Sequence, residues 1–213
     1  MAASFKHLNS IDDKTKLSVF GYILQLQKEL LLDNIPPLIS YLCLAYYHNG
    51  QYFETAGDGL KINEQYLIYE DHEEDNWKTG YGIECISQGR HEWKIKVLEF
   101  AFDIMIGVSS DTKHCDNSFI KKRNTHSYAY SAAGYKNDKV TDSYYGDKFV
   151  SDDIIGVHLD IEDGSVSFSK NGKNMGVAFK DVPSDKTWRL AVGLSDHHDQ
   201  VKIMSYTNID GLW

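Results

Sequence analysis

Apolar and polar positions alternate most regularly over residues 152–179, DDIIGVHLDIEDGSVSFSKNGKNMGVAF. Ile154, Ile155, Val157, Leu159 and Ile161 form an apolar run rich in β-branched side chains. Val166 and Phe168 then alternate with Ser165, Ser167 and Ser169, the two-residue period of a strand with one buried and one wet face. Asp163-Gly164 and Asn171-Gly172 supply residues that tolerate positive φ, as tight hairpin turns require. The stretch predicts an antiparallel meander of three strands, the third reached at 176–179.

The N-terminal part follows another period. Leu17, Phe20, Ile23, Leu24, Leu26, Leu30 and Leu31 recur in steps of three and four, the spacing of one helix face, with Gly21 weakening the segment. Asp33 and Asn34 end it. A second helix is predicted from Pro36 or Pro37, where a missing N–H leaves no bond unmade. It runs through Leu38, Ile39, Leu42, Leu44, Ala45 and Tyr46 and stops before Asn49-Gly50. Residues 1–49 thus read as a helical hairpin whose apolar face is expected to dock on the outer face of a sheet.

The glycine-bearing stretch 50–59 marks a boundary, and 50–213 reads as a second unit. Within it, 60–63 and 66–69 read as short strands, 71–75 as an acidic loop, and 81–86 as the approach to a strand centred on Trp93. Residues 100–108 read as the strand after that. Residues 111–125 and 136–148 are polar and are expected to be two long loops flanking the alternation at Tyr128 and Tyr130. Trp93, Ile95 and Val97 share one strand face, which is expected to bury against the Val166/Phe168 strand across a sandwich.

Composition narrows the function. The 213 residues are 42% apolar and 25% charged, with three prolines and no Gly/Ser-rich tract, which fits a globular chain without a long flexible linker. A net charge of −9 argues against duplex nucleic acid or an anionic membrane as the main ligand and mildly favours a basic or neutral partner. Cys43, Cys85 and Cys115 are odd in number and widely spaced, which fits a reducing compartment better than a disulfide framework. No apolar run approaches the ~18 residues of a membrane span, and the first residues lack a signal-peptide core. The chain is expected to be cytoplasmic, with nuclear access, and monomeric.

Candidate chemistry is sparse. His197-His198 between Asp196 and Asp199 has the residue types of a metal site, but neighbours on a strand point to opposite faces, so a polar hairpin turn between the last two strands is the simpler reading. His114, Cys115 and His126 could form a thiolate–imidazole pair only if the fold brought them together. Asp160, Glu162 and Asp163 lack the spacing of a calcium loop, and Gly80-Tyr81-Gly82 has no helix behind it to cradle phosphate. No metal, cofactor or catalytic residue is expected. Tyr128, Tyr130, Tyr135, Tyr144 and Tyr145 fall in or beside the polar stretches, where stiff amphipathic rings suit either recognition or capping of the core.

The pattern D-x-I-G-V-x-L-D-x-x-x-G-x-x-x-F-x-x-N-G-x-x-x-G-x-A-F over 153–179 resembles the signature of SPRY domains. So do Gly89-Arg90-His91-Glu92-Trp93-Lys94-Ile95-Lys96-Val97, Ile106-Gly107-Val108, residues 188–194 and residues 201–206. These motifs stand in order over about 80–208. The resemblance implies a mainly β, bent antiparallel concanavalin-like sandwich that binds a protein or peptide through loops at one end, as an adaptor or scaffold without catalytic activity. Carried onto this sequence, the implied site is Tyr128, Tyr130, Ala132 and Gly134 with the turn Asp196, His197 and His198, walled by the loop from Trp77 to Tyr81. The two histidines would make binding sensitive to pH near 6.5, tightening on a carboxylate-bearing partner as pH falls. Lectin-like carbohydrate or small-ligand binding, with Tyr144 and Tyr145 near Asp142 and Asp147, is the alternative from a different class.

Overall fold

The alternating stretches become strands and the glycine-bearing ones become turns. The computed structural model describes residues 52–70, 76–112, 115–120, 126–140 and 142–210; the helical hairpin expected over 1–49 and the acidic loop 71–75 lie outside them. The strands are β1 (Phe53–Ala56), β2 (Leu60–Asn63), β3 (Tyr66–Tyr69), β4 (Lys78–Gly82), β5 (Arg90–Glu99), β6 (Ile104–Ser109) and β7 (Ser127–Ser131). They continue as β8 (Tyr135–Asn137), β9 (Asp142–Tyr144), β10 (Ile154–Asp160), β11 (Ser165–Lys170), β12 (Lys173–Phe179), β13 (Arg189–Leu194) and β14 (Gln200–Asn208). They form two seven-stranded sheets, ordered β1-β4-β13-β6-β7-β8-β9 (sheet A) and β12-β11-β10-β5-β14-β3-β2 (sheet B). Among the described residues there is no helix.

The meander β10-β11-β12 forms as its pattern predicts, with Asn171 at φ 50° and Gly172 at φ 81° in the second turn. The ten-residue β5 lies at the centre of sheet B, paired to β10 and β14. His91, Trp93, Ile95 and Val97 point inward while Lys94 and Lys96 face solvent. Val166 and Phe168 are in the same sheet as Trp93, one strand removed, so the expectation that they face it across the sandwich is corrected. The facing layer comes from Ile104, Ile106 and Val108 of β6 with Leu190, Val192 and Leu194 of β13, all fully buried.

Three other expectations change. Residues 136–148 are not one long loop, because β8 and β9 pair there, Tyr135 opposite Tyr144; strands of three residues are too short to display a period. The strand expected over 100–108 begins only at Ile104, leaving 100–103 as a turn. The turn at 195–199 is not a hairpin either, since β13 lies in sheet A and β14 in sheet B. It is a corner between layers.

One long side of the sandwich is latched by side chains. The β11–β12 register slips around Gly176 (φ 84°), leaving ladder groups unpaired. The Tyr145 hydroxyl, from the sheet A side, accepts the Phe168 N–H at 3.2 Å and donates to the Gly176 carbonyl. Lys136 adds a second tie, donating to the Ala178 carbonyl at 2.7 Å with its ammonium 5.5 Å above the Phe179 ring. Tyr145→Phe should leave both backbone groups unsatisfied and cost about 1–3 kcal/mol, read as a lower urea midpoint. An unchanged midpoint would show that solvent replaces the phenol.

Candidate functional site

One end of the sandwich gathers three loops, and the strand register explains why. Leu194 pairs with Ile104, Met105 pairs with Ser131, and the Ala132 N–H donates to the Ile104 carbonyl at 2.9 Å. Loops 100–103, 132–134 and 195–199 therefore leave from neighbouring strand ends. Two carboxylates tie them together. Asp103 Oδ1 accepts the Ala132 N–H at 3.1 Å, while the Asp103 carbonyl accepts the Ser195 hydroxyl at 2.7 Å. Asp199, fully buried, accepts the Ala101 N–H at 2.9 Å and the Ser195 and Asp196 N–H groups at 2.9 and 3.0 Å. Gly134, at φ 92°, accepts the Tyr145 and Gly146 N–H groups, and an added Cβ would meet the Gly146 carbonyl oxygen at 2.6 Å.

Burial pushes the Asp103 carboxyl up from 3.8 to about 6; the nearby Asp199 charge adds to this, and the amides of Ala132, Ile104 and Ala133 oppose it. Asp199 is raised by burial as well, against the pull of its three amides. A carboxyl whose pKa is higher folded than unfolded stabilises the fold in its protonated form. That contribution is complete below about pH 4 and is lost as pH climbs through about 6. Wild type should therefore gain melting temperature relative to Asp103→Asn between about pH 7.5 and about pH 4.5. A constant difference between the two proteins over that range would assign the acid response elsewhere.

The site expected from sequence is only partly assembled. Ala132, Gly134, Asp196, His197 and His198 lie at this end. His197 Nδ1 stands 2.8 Å from Asp196 Oδ1, its ring 4.4 Å from that of His198. Trp77 lies over Gly193 on the outer face of sheet A, beside Phe119. Tyr130 is fully buried, its ring 5.2 Å from Phe149 and 5.5 Å from Phe168, and its hydroxyl donates to the Asp147 carbonyl. It supports the end from within and offers no contact surface. Tyr128 packs on Phe179 and Trp188 nearer the opposite end. Tyr81 belongs to β4 rather than to a loop, and is buried with Phe119, Ile120 and Ala191.

Sequence reading missed Phe102, which is 82% exposed at the tip of the 100–103 turn. Assigning 100–108 to one strand hid it, although Phe100-Ala101-Phe102-Asp103 breaks the alternation before Ile104. It also missed a polar line on the outer face of sheet B, drawn from three strands. Ser169 Oγ is 3.1 Å from His158 Nε2, and His158 Nδ1 is 3.7 Å from Glu92 Oε1, over the bare backbone of Gly156 in a groove of about 300 Å³. The residue types are those of a nucleophile, base and orienting acid. Burial holds His158 below its ordinary value. However, β10 is paired on both sides through this stretch, so the amides beneath are engaged in ladders rather than aimed at an oxyanion. The line therefore cross-links strands.

The thiol of Cys115 faces the Thr112 carbonyl at 3.9 Å; His114 is outside the described residues. An open cleft of about 520 Å³ at the opposite end is lined by Glu162, Asp163 and Asp181 among others.

The family model described as "SPRY domain" matches residues 90–208. The chain is similar to the SPRY domain-containing SOCS box protein 3 of Xenopus laevis, 29% identical over 116 residues that cover 51% of this chain and 32% of that protein. It is also similar to the ATP-dependent RNA helicase DDX1 of Xenopus laevis, 26% identical over 138 residues covering 65% and 17%. The chain thus spans about a third or less of the length of these relatives. Among solved structures, the SPRY domain of human HERC1 shares the fold, with a TM-score of 0.56 at 22% identity over 71% of this chain and 96% of that one.

Proposed function

The chain belongs to the SPRY-domain family, and on that premise we propose that it is a non-catalytic interaction module whose partner seats on loops 100–103, 132–134 and 195–199. SPRY domains are in general protein–protein interaction modules. The observation that carries the reading is Phe102, exposed at the tip of a turn whose flanking amides are both fixed, Ala101 to Asp199 and Asp103 to Ser195 Oγ. A turn held in place presents the ring without a further loss of backbone freedom on binding. Ala132 and Gly134 set the frame, Asp196, His197 and His198 form the rim, and Trp77 borders it.

An adaptor role, in which the sandwich selects a protein for another module to act on, is the wider form of the proposal. The name of one relative joins a SPRY domain to a SOCS box. A reducing compartment, cytoplasmic with nuclear access, suits the exposed free thiol of Cys85. The carbohydrate alternative has less support. Tyr145 is committed to Phe168 and Gly176, Asp147 pairs with Lys173 at 2.9 Å, and Tyr144 stands edge-on to Tyr135 at 6.1 Å, so two of the four groups of that reading are already engaged.

The partner is to be found by crosslinking and mass spectrometry and then titrated against Phe102→Ala. The variant should melt like wild type and bind about 2 kcal/mol more weakly, roughly thirtyfold. Equal affinity would move the contact away from this end.

A further inference from the structure

The charge at this end has one sign. Residues 99–103, 132–134 and 195–199 contain Glu99, Asp103, Asp196 and Asp199 and neither lysine nor arginine. Asp103 and Asp199 are held by backbone amides, so no cation cancels their charge, and they project a negative potential through the loops they organise. The adjoining segment 145–153 differs. There Asp147 pairs with Lys173 at 2.9 Å, Asp152 with Lys96 at 2.8 Å and Asp153 with Lys170 at 2.9 Å. At this end of the sandwich the uncompensated field thus lies on the surface that bears Phe102, beside the exposed Ala101 and Ala133.

From this juxtaposition we propose that the partner presents a basic segment, an extended stretch with lysine or arginine next to a large apolar side chain. The apolar side chain packs against Phe102 and the cation faces Glu99 and Asp196. An arginine there also gains by stacking its guanidinium on the Phe102 ring. The inference rests on the reading that the partner binds at this end and adds the partner's chemistry. The acidic cleft at the far end is a poorer receptor for the same segment, because its apolar lining residues Ile161 and Val182 are buried.

The test is a random peptide library on phage, selected against the full chain at low salt, with recovered peptides titrated by fluorescence anisotropy. The consensus should pair lysine or arginine with a large apolar residue. Binding should fall at least about tenfold for Phe102→Ser and for Glu99→Lys, and weaken as salt rises from about 0.05 to about 0.3 M. Asp163→Lys, in the far cleft, should change it by less than about twofold. Acidic or uncharged peptides that still depend on Phe102 would overturn the partner's chemistry while leaving the binding end intact. Basic peptides lost on Asp163→Lys but not on Phe102→Ser would place both at the wrong end, and recovery of no binding peptide would also reject the proposal.

Discussion

Trp93→Ala should be among the most destabilising single substitutions in this protein, costing about 3–5 kcal/mol and roughly 10 °C of melting temperature. The indole is fully buried at the middle of β5 and packs 5.4 Å from the Tyr206 ring and 6.3 Å from the His91 ring. Its N–H donates to Glu84 Oε2 at 3.4 Å, a carboxyl that burial holds above its ordinary value. Truncation opens a cavity between two seven-stranded sheets, under a strand paired on both sides, so little of it can collapse. Trp93→Phe should recover most of the loss by refilling the space. A melting temperature equal to wild type for Trp93→Ala would mean that the inner face of β5 is wrongly assigned.

Asp199→Ala should cost nearly as much for a different reason. Three N–H groups, those of Ala101, Ser195 and Asp196, lose their acceptor inside a corner with no exposed carboxylate surface. Each buried unsatisfied donor costs about 1–3 kcal/mol; a water admitted to the vacated space would recover part of this, for a net loss of about 3–5 kcal/mol. Asp199→Asn keeps one acceptor and removes a charge that burial disfavours, so it should lose about half as much or less. Chemical denaturation of both variants separates the two contributions. Equal stability of Asp199→Ala and wild type would mean that the corner is held by its remaining bonds, the backbone pairing to Tyr69 and the Ser195 hydroxyl on Asp103.

These two residues mark what was legible in the sequence. Trp93 could be placed from alternation, as could the β10-β11-β12 meander with its Asn-Gly turn, because a period of two and a positive-φ turn are local properties. Asp199 could not, because the donor that ties its turn to another loop, the Ala101 N–H, lies 98 residues away in sequence. The tyrosines were misjudged for a related reason. Tyr128 and Tyr130 share a strand face, as alternation says, but alternation does not say which face is inside. The other face of β7 carries Ser127, Ala129 and Ser131. It is covered as well, Phe119 and Ile120 lying over Ala129 and Ala191, so small residues mark a close approach there. At the loop end, Ala132, Gly134 and 196–198 were grouped by the family resemblance, and the strand register does place their loops side by side. Phe102 was lost because the four-residue offset of β6 from the expected strand start is within the blur of any boundary drawn from pattern.

The two loop-organising carboxylates hold main-chain amides, and this separates the frame of the loop end from the side chains it displays. Side chains at Ala101, Phe102, Ala133, Asp196 and His197 can be exchanged without removing a bond to Asp103 or Asp199. His198, at φ 75°, is the exception and tolerates mainly glycine, asparagine or aspartate. The end therefore has the properties wanted of a display scaffold. Randomising those five positions yields a library whose members share one backbone and differ in what they bind, and the same freedom would let partner choice drift between related chains faster than the strands that carry it.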